Sequence, residues 1–161
     1  MRRLIKFLHT VGGAGFLGAA AALIVLAHLA PSPPDYAWTR TAMAAIGAWI
    51  FLPSLTLTLV AGLAAIGVNR AFHEAGWAWV KAATGILIFA GGLHALAPIQ
   101  DEAARAAEAL AAGADRATIT GSFAGEEATL WVLLVVSLAN VALGVWRPRL
   151  LRRRRAPLAS S

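Results

Sequence analysis

Four apolar stretches, each about as long as a helix needs to be to cross a bilayer, leave this chain few folds to choose from. They run over about residues 8–30, 41–68, 80–99 and 128–146, and the charged residues gather at their edges, between them and beyond them. With 59% of the residues hydrophobic and 14% charged, the chain lacks the periodic polar face that a soluble domain of its length carries. The expected fold is all-α, an integral membrane four-helix bundle forming a single transmembrane domain over residues 1–161.

Prolines and charges punctuate the spans. The first stops at Pro31-Ser32-Pro33-Pro34, the third contains Pro98, and the fourth ends at Arg147-Pro148. The first stretch is longer than the roughly 7–15 apolar residues of a signal peptide, and no clean small-x-small site precedes Pro31, so it reads as a retained span. Arg2, Arg3, Lys6, Arg70, Lys81, Arg147, Arg149 and Arg152 to Arg155 fall on one side of the spans. Arg40, Arg105 and Arg116 fall on the other, with Asp35, Asp101, Glu102, Glu108, Asp115, Glu126 and Glu127. The bias in Lys and Arg predicts a multi-pass protein of the cell's inner (plasma) membrane with both termini in the cytoplasm.

The net charge of +6 then reflects basic ends, the tail 147–161 included, facing an anionic leaflet. The expected partner is the lipid bilayer, not nucleic acid. Residues 101–127 form the one sizeable outer loop. In it, helix formers from Asp101 to Glu108 and an Asp101/Arg105 pair predict a short surface helix, with Gly113 as a stop. Glu126 and Glu127 open the fourth helix, where acids complement the helix dipole.

Chemistry has few candidates. The chain has no Cys, which excludes disulfides and thiolate metal sites, and it shows no nucleophile beside a base, no phosphate loop and no paired inward carboxylates. Hydrolase and kinase readings therefore have no support. Four histidines remain. His9 and His28 mark the two ends of the first span; 19 positions apart, they are separated by about 28 Å and belong to different sites. His94 precedes Pro98 near the outer end of the third span, much as His28 precedes Pro31, so the two are expected at similar depth.

His73 lies near the inner interface with His9, making a second, inner pair of candidate cofactor ligands that is less well suited because His73 falls in the loop between spans. The outer pair, His28 and His94, matches what a bis-imidazole clamp on the iron of haem b requires, and ionisable groups within spans are functional candidates by default. The plainer alternative is interfacial histidine reaching for headgroups or water. A divalent metal is disfavoured because two His with no Cys or nearby acid fall short of a tetrahedral set. Copper is disfavoured because only Met1 and Met43 offer thioether.

Lys81, behind Trp77 and Trp79, is either an anchor beside an aromatic belt or a cation for an anionic group such as a propionate. In the second span Pro53 frees a backbone carbonyl that Ser54, Thr56 or Thr58 could satisfy. The many glycines in the first three spans allow close helix packing or close approach of a flat porphyrin. His28-Leu29-Ala30-Pro31 and His94-Ala95-Leu96-Ala97-Pro98 also echo one another, as parallel repeats about the membrane normal would.

Three elements together, Phe7-Leu8-His9, Ile50-x-x-Pro53-x-x-x-x-Thr58-x-x-x-Gly62 and Gly76-Trp77-x-x-x-Lys81, resemble the HemJ-type protoporphyrinogen oxidases. They also resemble the wider group of small membrane bundles that includes CopD-like domains. The resemblance covers about three of the spans and implies a haem or porphyrin ligand, with His9 and Lys81 as the site residues of an oxidase. Two function classes stand after this reading. One is a haem- or porphyrin-binding protein of redox or tetrapyrrole chemistry, either such an oxidase or a b-type electron carrier using His28 and His94. The other is a scaffold or accessory subunit that packs against a membrane partner or a second copy of itself.

Overall fold

A computed structural model describes residues 2–29, 33–73 and 75–146. Residues 30–32, which include the start of the proline stop, and the basic tail 147–161 lie outside the described residues. Within them the chain is all helical: α1 (Arg2–His28), α2 (Pro33–Ile46), a π-helical turn (Gly47–Phe51), α3 (Leu52–Val68), the short α4 (Arg70–His73), α5 (Gly76–Ala111), a 3₁₀ turn (Arg116–Thr118) and α6 (Ala124–Trp146). Four helical segments are long and apolar enough to cross a membrane: Arg2–His28, Asp35–Val68, Gly76–Ala111 and Ala124–Trp146. Many large apolar side chains point outward, Trp49, Leu87, Val132 and Val145 among them. That is the surface expected of a bundle solvated by lipid tails.

The long helices form a closed circuit, α1 packing on α3 and α6, and α5 on α3 and α6. Consecutive spans run antiparallel. The first turns of α1 meet the middle of α3, late in the second span, and the start of α5 meets the later turns of α6. Arg2, Arg3, Lys6 and Lys81 mark one end, here the basic end. Asp35, Glu102, Glu126 and Glu127 mark the other, the acidic end.

Phe16 and Phe51 meet edge to face at 4.9 Å between ring centroids, and Leu23, Met43, Ile99 and Leu130 fill the fully buried centre. Glycines allow the close seam between α1 and α3, Gly12 above all: a Cβ there would lie 2.6 Å from Thr58 Oγ1 and 2.9 Å from the Ser54 carbonyl oxygen.

Three elements differ from the sequence-based expectation. The second span begins well before residue 41, because α2, the π turn and α3 make one continuous helical path. α5 does not stop at Pro98 but runs on to Ala111, so the helix expected over Asp101–Glu108 is its last third rather than a separate piece. Proline forfeits one i→i−4 hydrogen bond and crowds the carbonyl four residues back, but strong helix formers on its far side resume the helix. Gly113, at φ +86°, closes α5 in the left-handed conformation that glycine adopts without penalty.

The third difference is at Pro53. Thr56 and Thr58 hydroxyls donate to the carbonyls of Leu52 and Ser54, one turn back in their own helix, so neither is spent on the turn ahead of the proline. The chain instead accommodates the proline by the π turn just before it. Gln100 Nε2 of α5 donates to the Ala44 carbonyl at 2.9 Å, beside this change of register.

Helix lengths explain what happens at the acidic end. At 1.5 Å per residue the 34-residue path Asp35–Val68 and the 36-residue α5 each exceed a hydrocarbon core of about 30 Å by roughly 20 Å. Their overhangs pack on each other and on the 3₁₀ turn, making a polar cap.

Candidate functional site

Each of the sequence-derived residues has a defined place. His9 sits on the α1 face that meets α3, where its Nδ1 lies 2.8 Å from the Thr58 carbonyl oxygen. A carbonyl can only accept, so Nδ1 carries the proton, and a neutral ring then keeps the lone pair on Nε2. Gly62 makes room for the ring: a Cβ there would lie 3.2 Å from His9 Cε1. Three residues of the family-like pattern, His9, Thr58 and Gly62, are thus one packed unit.

Lys81, on α5, donates from Nζ to the Asn140 carbonyl of α6 at 2.8 Å, and Thr84 Oγ1 lies 3.0 Å from Asn140 Oδ1. A cation against the later carbonyls of α6 is favourably placed in the field of that helix's C-terminal half. His9 is therefore held by α3 and Lys81 by α6, and no hydrogen bond among the described residues joins the two.

His73 is exposed and donates from Nε2 to the Ile66 carbonyl at 2.9 Å, a carbonyl that also accepts from the Asn69 N–H closing α3. His9 and His73 bond α3 eight residues apart, about 12 Å along its axis.

His28 and His94 both lie beside the first turns of α6, at the similar depth expected of them. Their directions differ. His28 meets α6 from α1, its Nδ1 3.3 Å from Glu127 Oε1, with 77% of its side chain exposed. His94 is also exposed and meets α6 from α5, at a cleft of about 350 Å³ that includes Pro98, Gly125, Glu126 and Thr129. His28 is not among the residues that line this cleft. No group of three or more His, Asp or Glu able to hold a metal ion occurs among the described residues.

The most heavily built polar group is one that sequence reasoning treated as surface charge. Arg40 is 0% exposed, and Glu126, 9% exposed, forms an ion pair with its Nη1. Arg40 Nη2 donates to the Ser122 carbonyl at 2.8 Å, and Nε donates to the Tyr36 hydroxyl at 3.0 Å. Tyr36 in turn donates to Glu102 at 3.2 Å, and Glu102 pairs with Arg105 at 2.8 Å. The guanidinium carbon stands 4.1 Å from the centre of the Phe123 ring, a cation–π contact that adds to the pair.

No buried side-chain polar atom among the described residues lacks a partner, so this network is complete as it stands. Spacing could not have revealed it, because Arg40 and Glu126 are 86 positions apart. The one available signal was an arginine on the side otherwise rich in acids.

Comparison of the chain with protein-family models, curated proteins and solved structures finds no match, which leaves these side chains as the evidence for what the bundle does.

Proposed function

We propose that the protein is a haem- or porphyrin-binding integral membrane protein of redox or tetrapyrrole chemistry, with its basic end and both termini in the cytoplasm. The observation that carries this reading is the hydrogen bond from His9 Nδ1 to the Thr58 carbonyl. Histidines that ligate metals almost always donate their other N–H to a carbonyl or carboxylate, which fixes the tautomer and the ring plane. His9 meets that condition, with Gly62 allowing the ring to pack against α3. His9 would hold the group through Nε2, and Lys81 would offer a cation to its carboxylates. Bound there, a haem would supply one-electron chemistry.

The version with His28 and His94 as axial ligands of haem b fits the donor set less well. It needs both imidazoles in one apolar slot, whereas both are exposed and His28 is engaged by Glu127.

The test is an absorption spectrum of detergent-purified protein, before and after haemin is added, oxidised and then reduced with dithionite. A Soret band that is lost in His9→Ala and kept in His28→Ala and His94→Ala is the expected result. A colourless protein that takes up no haemin overturns the reading, as does a band that depends on His28 or His94 instead.

One observation favours the second class, a scaffold or accessory subunit. Ala14, Gly18 and Ala22 recur every fourth residue on an exposed face of α1, and a Cβ at Gly18 would meet nothing within 4 Å. Such spacing lets another helix approach closely in lipid. On this reading the wild type sediments in detergent as an oligomer or with a partner, and Gly18→Leu disperses it without altering its helix content by circular dichroism. A wild type already monomeric and partner-free removes the scaffold reading.

A further inference from the structure

We propose that residues 112–123, between α5 and α6, form a strap pinned across the acidic end by Arg40, and that the strap opens as a unit while the spanning helices stay folded. Residues 112–118 are exposed, and their hydrogen bonds are local. Ala112, Gly113 and Ala114 donate back to the last turn of α5, and Ala117 and Thr118 bond Asp115. None of these bonds ties the segment to α2.

The 3₁₀ turn packs on α2 without hydrogen bonds to it, and the polar and ring ties to α2 lie at the far end. Arg40 Nη2 reaches the Ser122 carbonyl, the Arg40 guanidinium covers Phe123, and the Phe123 and Tyr36 rings meet edge to face at 5.3 Å. Gly121 rests directly against the Tyr36 hydroxyl, where a side chain would not fit.

Beneath the strap the packing is not flush. A cleft of about 440 Å³ separates it from α5, lined by Tyr36, Glu102, Arg105, Ala106, Ile119 and Thr120 among others. Ile119 and the 3₁₀ turn add only partly buried packing, so a segment with exposed local hydrogen bonds, a gap below it and its polar anchors at one end belongs to the low-stability end of a structure's range. Gly113, in the left-handed region, lies at one end of the segment, and the first turn of α6 lies at the other. Lifting the strap uncovers the Arg40 guanidinium and widens the cleft, so the acidic end presents this cation to solvent only when open.

Hydrogen–deuterium exchange of the full-length protein in detergent micelles tests this. In the wild type, amides of 112–123 are expected to exchange together, at least tenfold faster than those in the buried turns of α5 and α6. In Arg40→Met the strap is expected to exchange at nearly the rate of unstructured peptide while the spanning helices remain protected. Phe123→Ala, which keeps the ion pair, gives an intermediate rise and serves where Arg40→Met does not fold. A strap still protected in Arg40→Met, or unchanged in Phe123→Ala, overturns the proposal. So does loss of protection in strap and spanning helices together.

Discussion

Replacing Arg40 by Met is expected to destabilise the bundle by about 3 kcal/mol, near the lower end of the range for removing one partner of a buried ion pair. The expectation follows from what the guanidinium leaves behind. Glu126, 9% exposed, would keep a carboxylate with no counter-charge, and the Ser122 carbonyl and Tyr36 hydroxyl would each lose a donor. Leaving buried polar groups unsatisfied costs more than their hydrogen bonds contributed. The loss stays near the lower end because water reaches Glu126 once the strap lifts.

The double variant Arg40→Met/Glu126→Leu is expected to recover most of the loss, since exchanging a whole buried pair for apolar groups is often neutral or stabilising. Thermal unfolding in detergent, followed by circular dichroism, reads this as a fall in Tm of roughly 6–12 °C for the single variant. Two penalties that simply add in the double variant would show that Arg40 and Glu126 act independently, and the network described here would be wrong.

How much of this was legible beforehand differs from residue to residue. The four spans were, because length and hydropathy alone decide whether a helix can cross a bilayer. The depth of His28 and His94 was also legible, since rise per residue is fixed. Their direction was not, because rotational phase depends on which neighbours a helix packs against, and both rings turn outward beside α6.

Pro98 looked like a break because sequence reveals the lost hydrogen bond but not the packing that holds the helix through it. The π turn was equally hidden. It shifts the phase between the half-helix carrying Arg40 and the half carrying Thr58, and only the partners of those two residues show why the shift is needed. For the candidate site, the resemblance supplied His9, Thr58 and Gly62 as separate letters in a pattern. Their contact, and the tautomer it imposes, came from the fold.

Gly12→Val is expected to have the second large effect, because the seam between α1 and α3 has no room for a side chain. A Cβ at position 12 would stand 2.9 Å from the Thr58 backbone nitrogen and the same distance from the Ser54 carbonyl oxygen, so rotating a side chain cannot relieve the clash. The helices must separate. Overpacking of this kind typically costs about 1–3 kcal/mol. In lipid, where helices associate through close packing and not through a hydrophobic drive, little compensates for it.

Gly13→Ala is the internal control. A Cβ there meets nothing within 4 Å, so the exchange should leave stability unchanged or raise it by up to about 1 kcal/mol through helix propensity. The consequence reaches the site as well, since His9 lies one turn before Gly12 on the same face and bonds the same stretch of α3. Parting the seam lengthens the His9–Thr58 bond and releases the ring, so Gly12→Val should bind haemin at least tenfold more weakly than Gly13→Ala in a spectroscopic titration. Equal stability in the two variants would mean that α1 and α3 do not approach this closely. Equal haemin affinity with unequal stability would separate the seam from the site and remove His9 as the residue that holds the ligand.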